Sequence, residues 1–129
     1  MTEAERFGCD HCWPAGADDA WAARSRLQRI AELVDESHFH VMLLECAACA
    51  QRFLSVFTEQ VDWVNGEDPQ YWTLIPVTES EAAALAQQDA SVAALNAVGA
   101  GRRSLRHDFP KDAGPRTYWD TGMSVGPHD

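Results

Sequence analysis

The four cysteines of this chain come as two pairs, Cys9-Asp10-His11-Cys12 and Cys46-Ala47-Ala48-Cys49, and they are the only cysteines in its 129 residues. A Cys-x-x-Cys turn aims two sulfurs at one point. Two such turns supply the four soft donors of a tetrahedral zinc site without any other residue type. The pattern therefore predicts that the N-terminal segment is tied to the middle of the chain through one structural zinc ion, with Cys9, Cys12, Cys46 and Cys49 as ligands. Four thiolates also suit iron, which stays open as the alternative ion.

Other uses of the cysteines fit less well. A redox dithiol needs its pair at a helix N-terminus, where the thiolate is stabilised, and neither pair has that context. Disulfides belong with export. The start, Met1-Thr2-Glu3-Ala4-Glu5-Arg6, is polar and has no apolar run behind it, which argues against a secretory signal. A cytoplasmic location is the resulting expectation. No stretch of the chain approaches the ~20 apolar residues that span a bilayer, so no membrane role is expected.

A catalytic zinc keeps one position open for water, whereas four cysteines close the shell. His11 sits inside the first pair, and His38 and His40 alternate onto one face of an expected strand. A histidine replacing one cysteine is the open variant. The plainer assignment makes His11 a solvent-facing residue of the turn and His38 and His40 surface groups or groups that orient a ligand.

Between the pairs, residues 18–36 read as an amphipathic helix. Asp18 or Asp19 is available as a cap, and Leu27, Ile30, Leu33 and Val34 keep a three-to-four spacing. Residues 38–46 read as a strand that delivers the second pair, and residues 51–64 as its hairpin partner. Phe53, Ser55, Phe57, Glu59, Val61 and Trp63 fall on one face of that partner, and Leu54, Val56 and Thr58 on the other. Asn65-Gly66 marks a turn, and residues 71–77 a third strand with Pro76 suited to a strand end. Thr78 and Glu81 form a capping box at the head of an alanine-rich helix over 79–98, which a kink or break at Gln87-Gln88-Asp89 interrupts. Residues 102–129 carry Pro110, Gly114, Pro115, Gly122, Gly126 and Pro127 and read mostly as loop, with a short strand over 116–120. The expected core residues are Leu44, Phe53, Phe57, Trp63, Trp72 and Leu74.

Two cysteine knuckles, the second on a β-hairpin with a third strand following, make residues 7–77 resemble the zinc-ribbon, or rubredoxin-like, group. The resemblance implies the same four cysteine ligands. Many ribbon knuckles place glycine after the second cysteine, where positive φ is convenient, but here Trp13 and Ala50 stand there. The expected fold is one α+β domain over 1–129: a small three-stranded antiparallel zinc-ribbon sheet with an inserted helix and a C-terminal helix. It divides into a metal-binding core (7–77), a helix (78–101) and a loop-rich tail (102–129). Such ribbons serve many unrelated roles, so the likeness implies no single function.

The formal net charge is −10, and residues 1–70 hold 13 of the 20 acidic groups against 5 of the 10 basic ones. That field repels nucleic-acid phosphates and anionic lipid and favours a basic protein partner. Arg102, Arg103 and Arg106, beside His107, are candidate contacts for an anion or a partner, or a strip that neutralises the acidic body. Asp62, Asn65, Glu67 and Asp68 match no EF-hand spacing and read as a solvated turn. No Ser/His/Asp order, phosphate-binding glycine loop or nucleotide fingerprint occurs. The expected function is a non-enzymatic zinc protein, a protein-interaction or regulatory module. The alternatives are a thiol redox or metal-dependent enzyme using a Cys-x-x-Cys pair, and a nucleic-acid-binding zinc ribbon.

Overall fold

Period-two alternation in the middle of the chain builds the centre of the molecule. The structure, a computed structural model, describes residues 7–60, 64, 68–87, 92–110 and 114–123, without the side chains of Val92 and Ala93. Strand β2 (Phe39–Glu45) pairs with β3 (Arg52–Glu59), which pairs with β4 (Gln70–Val77), all antiparallel. Successive side chains on a strand point to opposite faces. Leu54 and Val56 therefore join Val41, Leu43, Ile75 and Val77 in one buried cluster, while Phe53 joins Leu44 and Leu74 in another. A sheet that is apolar on both faces needs cover on both. Helices α2 (Glu79–Gln87) and α3 (Val92–Asn96) supply Ala82, Leu85 and Leu95 to the first cluster. Helix α1 (Ala17–Arg24) and the first cysteine turn cover the second.

The capping box forms as the sequence predicts. Glu81 donates its backbone N–H to Thr78 Oγ1 at 3.1 Å, and Glu81 Oε1 accepts the Thr78 N–H at 2.8 Å. The expected helix over 79–98 is two helices, and residues 88–91 between them lie outside the described residues. Pro76 lies beyond Leu74↔Leu105, the last pair between β4 and β5, where its missing N–H leaves no ladder bond unmade.

The sheet itself is larger than expected. Among the described residues it has six strands in chain order, adding β1 (Gln28–Glu36), β5 (Arg103–Phe109) and β6 (Arg116–Thr121) to the anticipated three. The class remains α+β, but the three-stranded ribbon is overturned.

The helix expected over 18–36 stops at Arg24, and its second half is β1. The register explains the misleading spacing. Pairing with β2 slips between Arg29 and Ala31 and again between Glu32 and Val34, as at β-bulges. Each slip adds one residue, so Ala31 and Val34 come three apart and still pack on the same cluster. A doubly bulged strand thus imitates helical periodicity. Helix α1 is capped by Gly16 without a side-chain bond, and Asp18 and Asp19 occupy its first turn instead, beside the positive end of the dipole. Ala20 and Ala23 let it lie close on the sheet.

The loop-rich tail is likewise corrected over residues 103–109. Strand β5 is polar on one face, with Ser104, Arg106 and Asp108, which hides it from a hydrophobic pattern. One oxygen of its buried Asp108 is engaged across the sheet, where Oδ2 accepts the Tyr118 hydroxyl at 2.6 Å and lies 3.4 Å from Arg116 Nη2, while Oδ1 is buried without a partner among the described residues. The short strand expected over 116–120 is β6.

Of the expected core, Leu44, Phe53 and Leu74 are buried, Phe57 and Trp72 are half-buried, and Trp63 lies outside the described residues. Among the described residues no helix is long and apolar enough to cross a membrane.

Candidate metal centre

The two cysteine turns meet on the α1 side of the sheet. In the first, Cys9 O accepts the N–H groups of Cys12 at 3.2 Å and Trp13 at 2.7 Å. In the second, which closes the β2–β3 hairpin, Cys46 exchanges backbone bonds with Ala50 at 2.8 Å and Gln51 at 2.9 Å. The four sulfurs lie within 4.8 Å of one another. Cys9 Sγ is 3.7 Å from Cys12 Sγ and 3.9 Å from Cys46 Sγ, and Cys12 Sγ is 3.7 Å from Cys49 Sγ. A tetrahedron with metal–sulfur bonds of ~2.3 Å has edges of ~3.8 Å. The donor set therefore fits a single four-coordinate ion, and four sulfur donors suit zinc or iron.

Cys9, Cys12 and Cys49 are not equivalent in how readily they ionise. Burial opposes ionisation of Cys9, but hydrogen bonds from the backbone of Cys12 and His11 outweigh it and bring this thiol down to about 7. Burial pushes the Cys12 thiol up, and burial together with the neighbouring thiols of Cys9 and Cys46 pushes up that of Cys49. Thiols this close cannot all carry charge unless a cation is placed among them. The Cys9 N–H, 3.2 Å from Cys12 Sγ, adds a backbone donor aimed at a ligand sulfur.

Two backbone conformations make the turns. Gly8, at φ +72°, is packed so tightly that a Cβ would lie 2.7 Å from Trp13 Cβ and 3.0 Å from Cys12 Sγ. Ala50, after the last cysteine, adopts φ 64° without being glycine. The knuckle keeps the usual conformation although the favoured residue is missing.

Gln51 is a supporting residue that the cysteine pattern did not reveal. Its Oε1 accepts the Gly8 N–H at 3.0 Å, and its Nε2 donates to the carbonyls of Arg52 and Val77, both at 2.9 Å. One amide thus joins the first turn to the ends of β3 and β4. Only its place beside Cys49 hinted at this. Trp13 packs at 5.3 Å from Phe53 and 5.0 Å from Trp119, walling off one side of the cluster.

Comparison of the chain with models of protein families, with curated proteins and with solved structures finds no match. The likeness to the zinc-ribbon group therefore stands on the four-cysteine cluster.

Among the described residues, the group able to hold an ion contains the four cysteines and no histidine. His11 is exposed, and its carbonyl accepts Arg26 Nη2 at 3.1 Å. His38 Nδ1 is 2.8 Å from Glu59 Oε1, and His40 Nδ1 is 3.3 Å from Asp35 Oδ1. The Gln70 amide and His38 together hold the Glu59 carboxyl below its ordinary range.

The three arginines do not act as one strip. Arg102 Nη1 is 2.7 Å from Glu81 Oε1 and donates to the Pro76 carbonyl at 2.8 Å, so it ties the capping box to the end of β4. Arg103 stacks on Trp119 at 3.8 Å and is exposed. Arg106, three residues further along the same strand, projects from the opposite face and lies 3.8 Å from Asp120 Oδ2. Asp62, Asn65 and Glu67 of the acidic turn lie outside the described residues.

Proposed function

We propose that Cys9, Cys12, Cys46 and Cys49 hold one zinc ion as a structural cross-link and that the protein is a non-enzymatic protein-interaction module. The observation that carries the metal assignment is the set of three Sγ–Sγ separations between 3.7 and 3.9 Å. When bound, the ion would supply the positive charge that lets four clustered thiols ionise together. Four protein ligands fill a tetrahedral shell, which supports a structural role over a catalytic one.

A basic protein partner is supported by the net charge of −10. It is also supported by strand β1 at the sheet edge, where Glu32, Asp35 and Glu36 are exposed. The same charge weighs against a nucleic-acid partner.

The test is native mass spectrometry of the purified protein, followed by alkylation before and after chelation. The expected result is one zinc per chain and thiols that label slowly until a chelator is added. Iron at the same stoichiometry would change the ion and keep the cross-link. No bound metal, or rapid labelling of the metal-loaded protein, would overturn the assignment in favour of thiol chemistry.

A further inference from the structure

Most arginines of the chain are engaged. Arg29, Arg52, Arg102, Arg106 and Arg116 each meet a carboxylate. Arg24 donates to Ser55 Oγ, and Arg26 to a carbonyl. Among the described residues Arg103 has neither kind of partner. Its guanidinium carbon lies 3.8 Å from the centre of the Trp119 ring and 5.3 Å from that of Trp13. Stacking on a ring face uses the flat surface of a guanidinium and leaves its N–H edge free. In a chain with twice as many acidic as basic residues, a cation held in this way with no acid beside it among the described residues requires a reason.

Arg103 borders a cavity of about 540 Å³ that Phe7, Trp13, Pro76, Ala100, Gly101 and Arg102 also line. That volume falls within the range of ~300–1,000 Å³ that small-molecule sites occupy. Its walls are chemically divided. Phe7, Trp13 and Pro76 present apolar surface. Arg102 packs on the Phe7 ring at 4.3 Å with its charge balanced by Glu81, so it forms wall more than ligand contact. Gly101 carries no side chain to close the rim, and a Cβ there would meet nothing within 4 Å. The Arg103 side chain, without an acid partner among the described residues, and the apolar side chains share one opening.

We propose that this cavity binds a small monocarboxylate with a flat apolar body, its carboxylate held by the N–H edge of Arg103 and its body against Trp13 and Phe7. The planar fork of arginine matches a carboxylate in two parallel hydrogen bonds. A cation with no acid partner among the described residues matches a single negative charge, and the net charge of −10 disfavours anions of higher charge. Flat apolar bodies gain from offset or edge contacts with aromatic walls. The site goes beyond the metal assignment and stands on Arg103 and the cavity. Trp13 follows Cys12 directly, so the measurement belongs on metal-loaded protein.

The test is titration of the protein with benzoate, benzamide and inorganic phosphate while the indole N–H signals of Trp13 and Trp119 are followed by NMR. The Trp21 and Trp72 signals, from a ring pair between α1 and β4, report that the fold persists. Benzoate is expected to give saturable shifts at about millimolar concentration, with benzamide at least tenfold weaker. Arg103→Ala is expected to weaken benzoate about tenfold, and Arg103→Lys, which keeps charge but loses the fork, to fall between. Benzamide matching benzoate, unchanged affinity in Arg103→Ala, or no saturable shift would overturn the proposal. Phosphate binding as tightly as benzoate would overturn the carboxylate assignment.

Discussion

Cys12 Sγ lies 3.7 Å from Cys49 Sγ although the two residues are 37 apart in sequence, and this contact joins the N-terminal turn to the β2–β3 hairpin. Cys12 and Cys46 belong to the cluster on the α1 face, together with Ala20, Leu44, Phe53 and Leu74. The opposite cluster, under α2 and α3, contains no cysteine. An ion held by the four cysteines would therefore support one face of the sheet rather than the whole core. Chelation is expected to raise hydrogen exchange across residues 7–24 and 46–51 while β3 and β4 stay protected. Substituting Cys12→Ser should weaken metal binding by more than the ~10–100-fold typical of groups that only orient a ligand. Simultaneous loss of protection in both regions would refute this division.

Gly8 and Ala50 make opposite predictions from the same backbone region. Both have positive φ, at +72° and 64°. Left-handed backbone costs a residue with a Cβ roughly 1–2 kcal/mol. Ala50→Gly should therefore stabilise the protein by about 1 kcal/mol, less the extra chain entropy of glycine. Gly8→Ala should destabilise it by more than about 2 kcal/mol, because the new Cβ would lie 2.7 Å from Trp13 Cβ as well as in strained backbone. Urea midpoints of the two variants at constant slope measure both signs.

Phe53 has no exposed surface and packs against Trp13 at 5.3 Å. Truncation to alanine removes buried area and leaves a cavity between β3 and the cysteine turn. Phe53→Ala is expected to cost about 3–5 kcal/mol by chemical denaturation, and the more conservative Phe53→Leu clearly less. A loss below about 1 kcal/mol would show that the turn does not bear on this ring.

Glu81 should make stability depend on acid pH. Burial alone would raise its carboxyl, but the Thr78 N–H and the Arg102 guanidinium outweigh burial and hold it below the ordinary range. A carboxyl with a lower pKa in the folded state contributes stability that is present above the unfolded value of ~4.3 and is lost as pH falls through the folded value. The difference in stability between the wild type and Glu81→Gln should be full above about pH 5 and shrink below about pH 4. Thermal unfolding of both proteins across that range checks it, and a difference that grows toward acid pH would contradict the sign.

The cysteine pairs, the alternation of β3 and β4 and the Thr78–Glu81 box were legible because each is specified by neighbours in sequence. A knuckle needs two sulfurs three residues apart, and a half-turn per residue sorts Phe53 from Leu54 whatever surrounds them. Strand β1 was not legible. Its apolar residues carry a three-residue spacing, created by slips against β2, that imitates a helical face, although Ile30 is exposed. Strand β5 escaped because Ser104, Arg106 and Asp108 are polar, yet β4 and β6 bracket them and the Tyr118 hydroxyl donates to Asp108 Oδ2.

The same contrast separates the two candidate sites. The candidate metal ligands could be named from composition and spacing, since only cysteine offers that donor set and all four occur in pairs. The arginine cavity could not. Arg102, Arg103 and Arg106 look equivalent along the chain. The pleat sends Arg103 and Arg106 to opposite faces, and Glu81 neutralises Arg102. Trp119 of β6 and Trp13 of the first turn meet at Arg103 only after the strands have paired. Donor chemistry and backbone period are properties of short stretches. Strand register and the partner of a charge depend on residues far away in sequence, which the chain brings near only by folding.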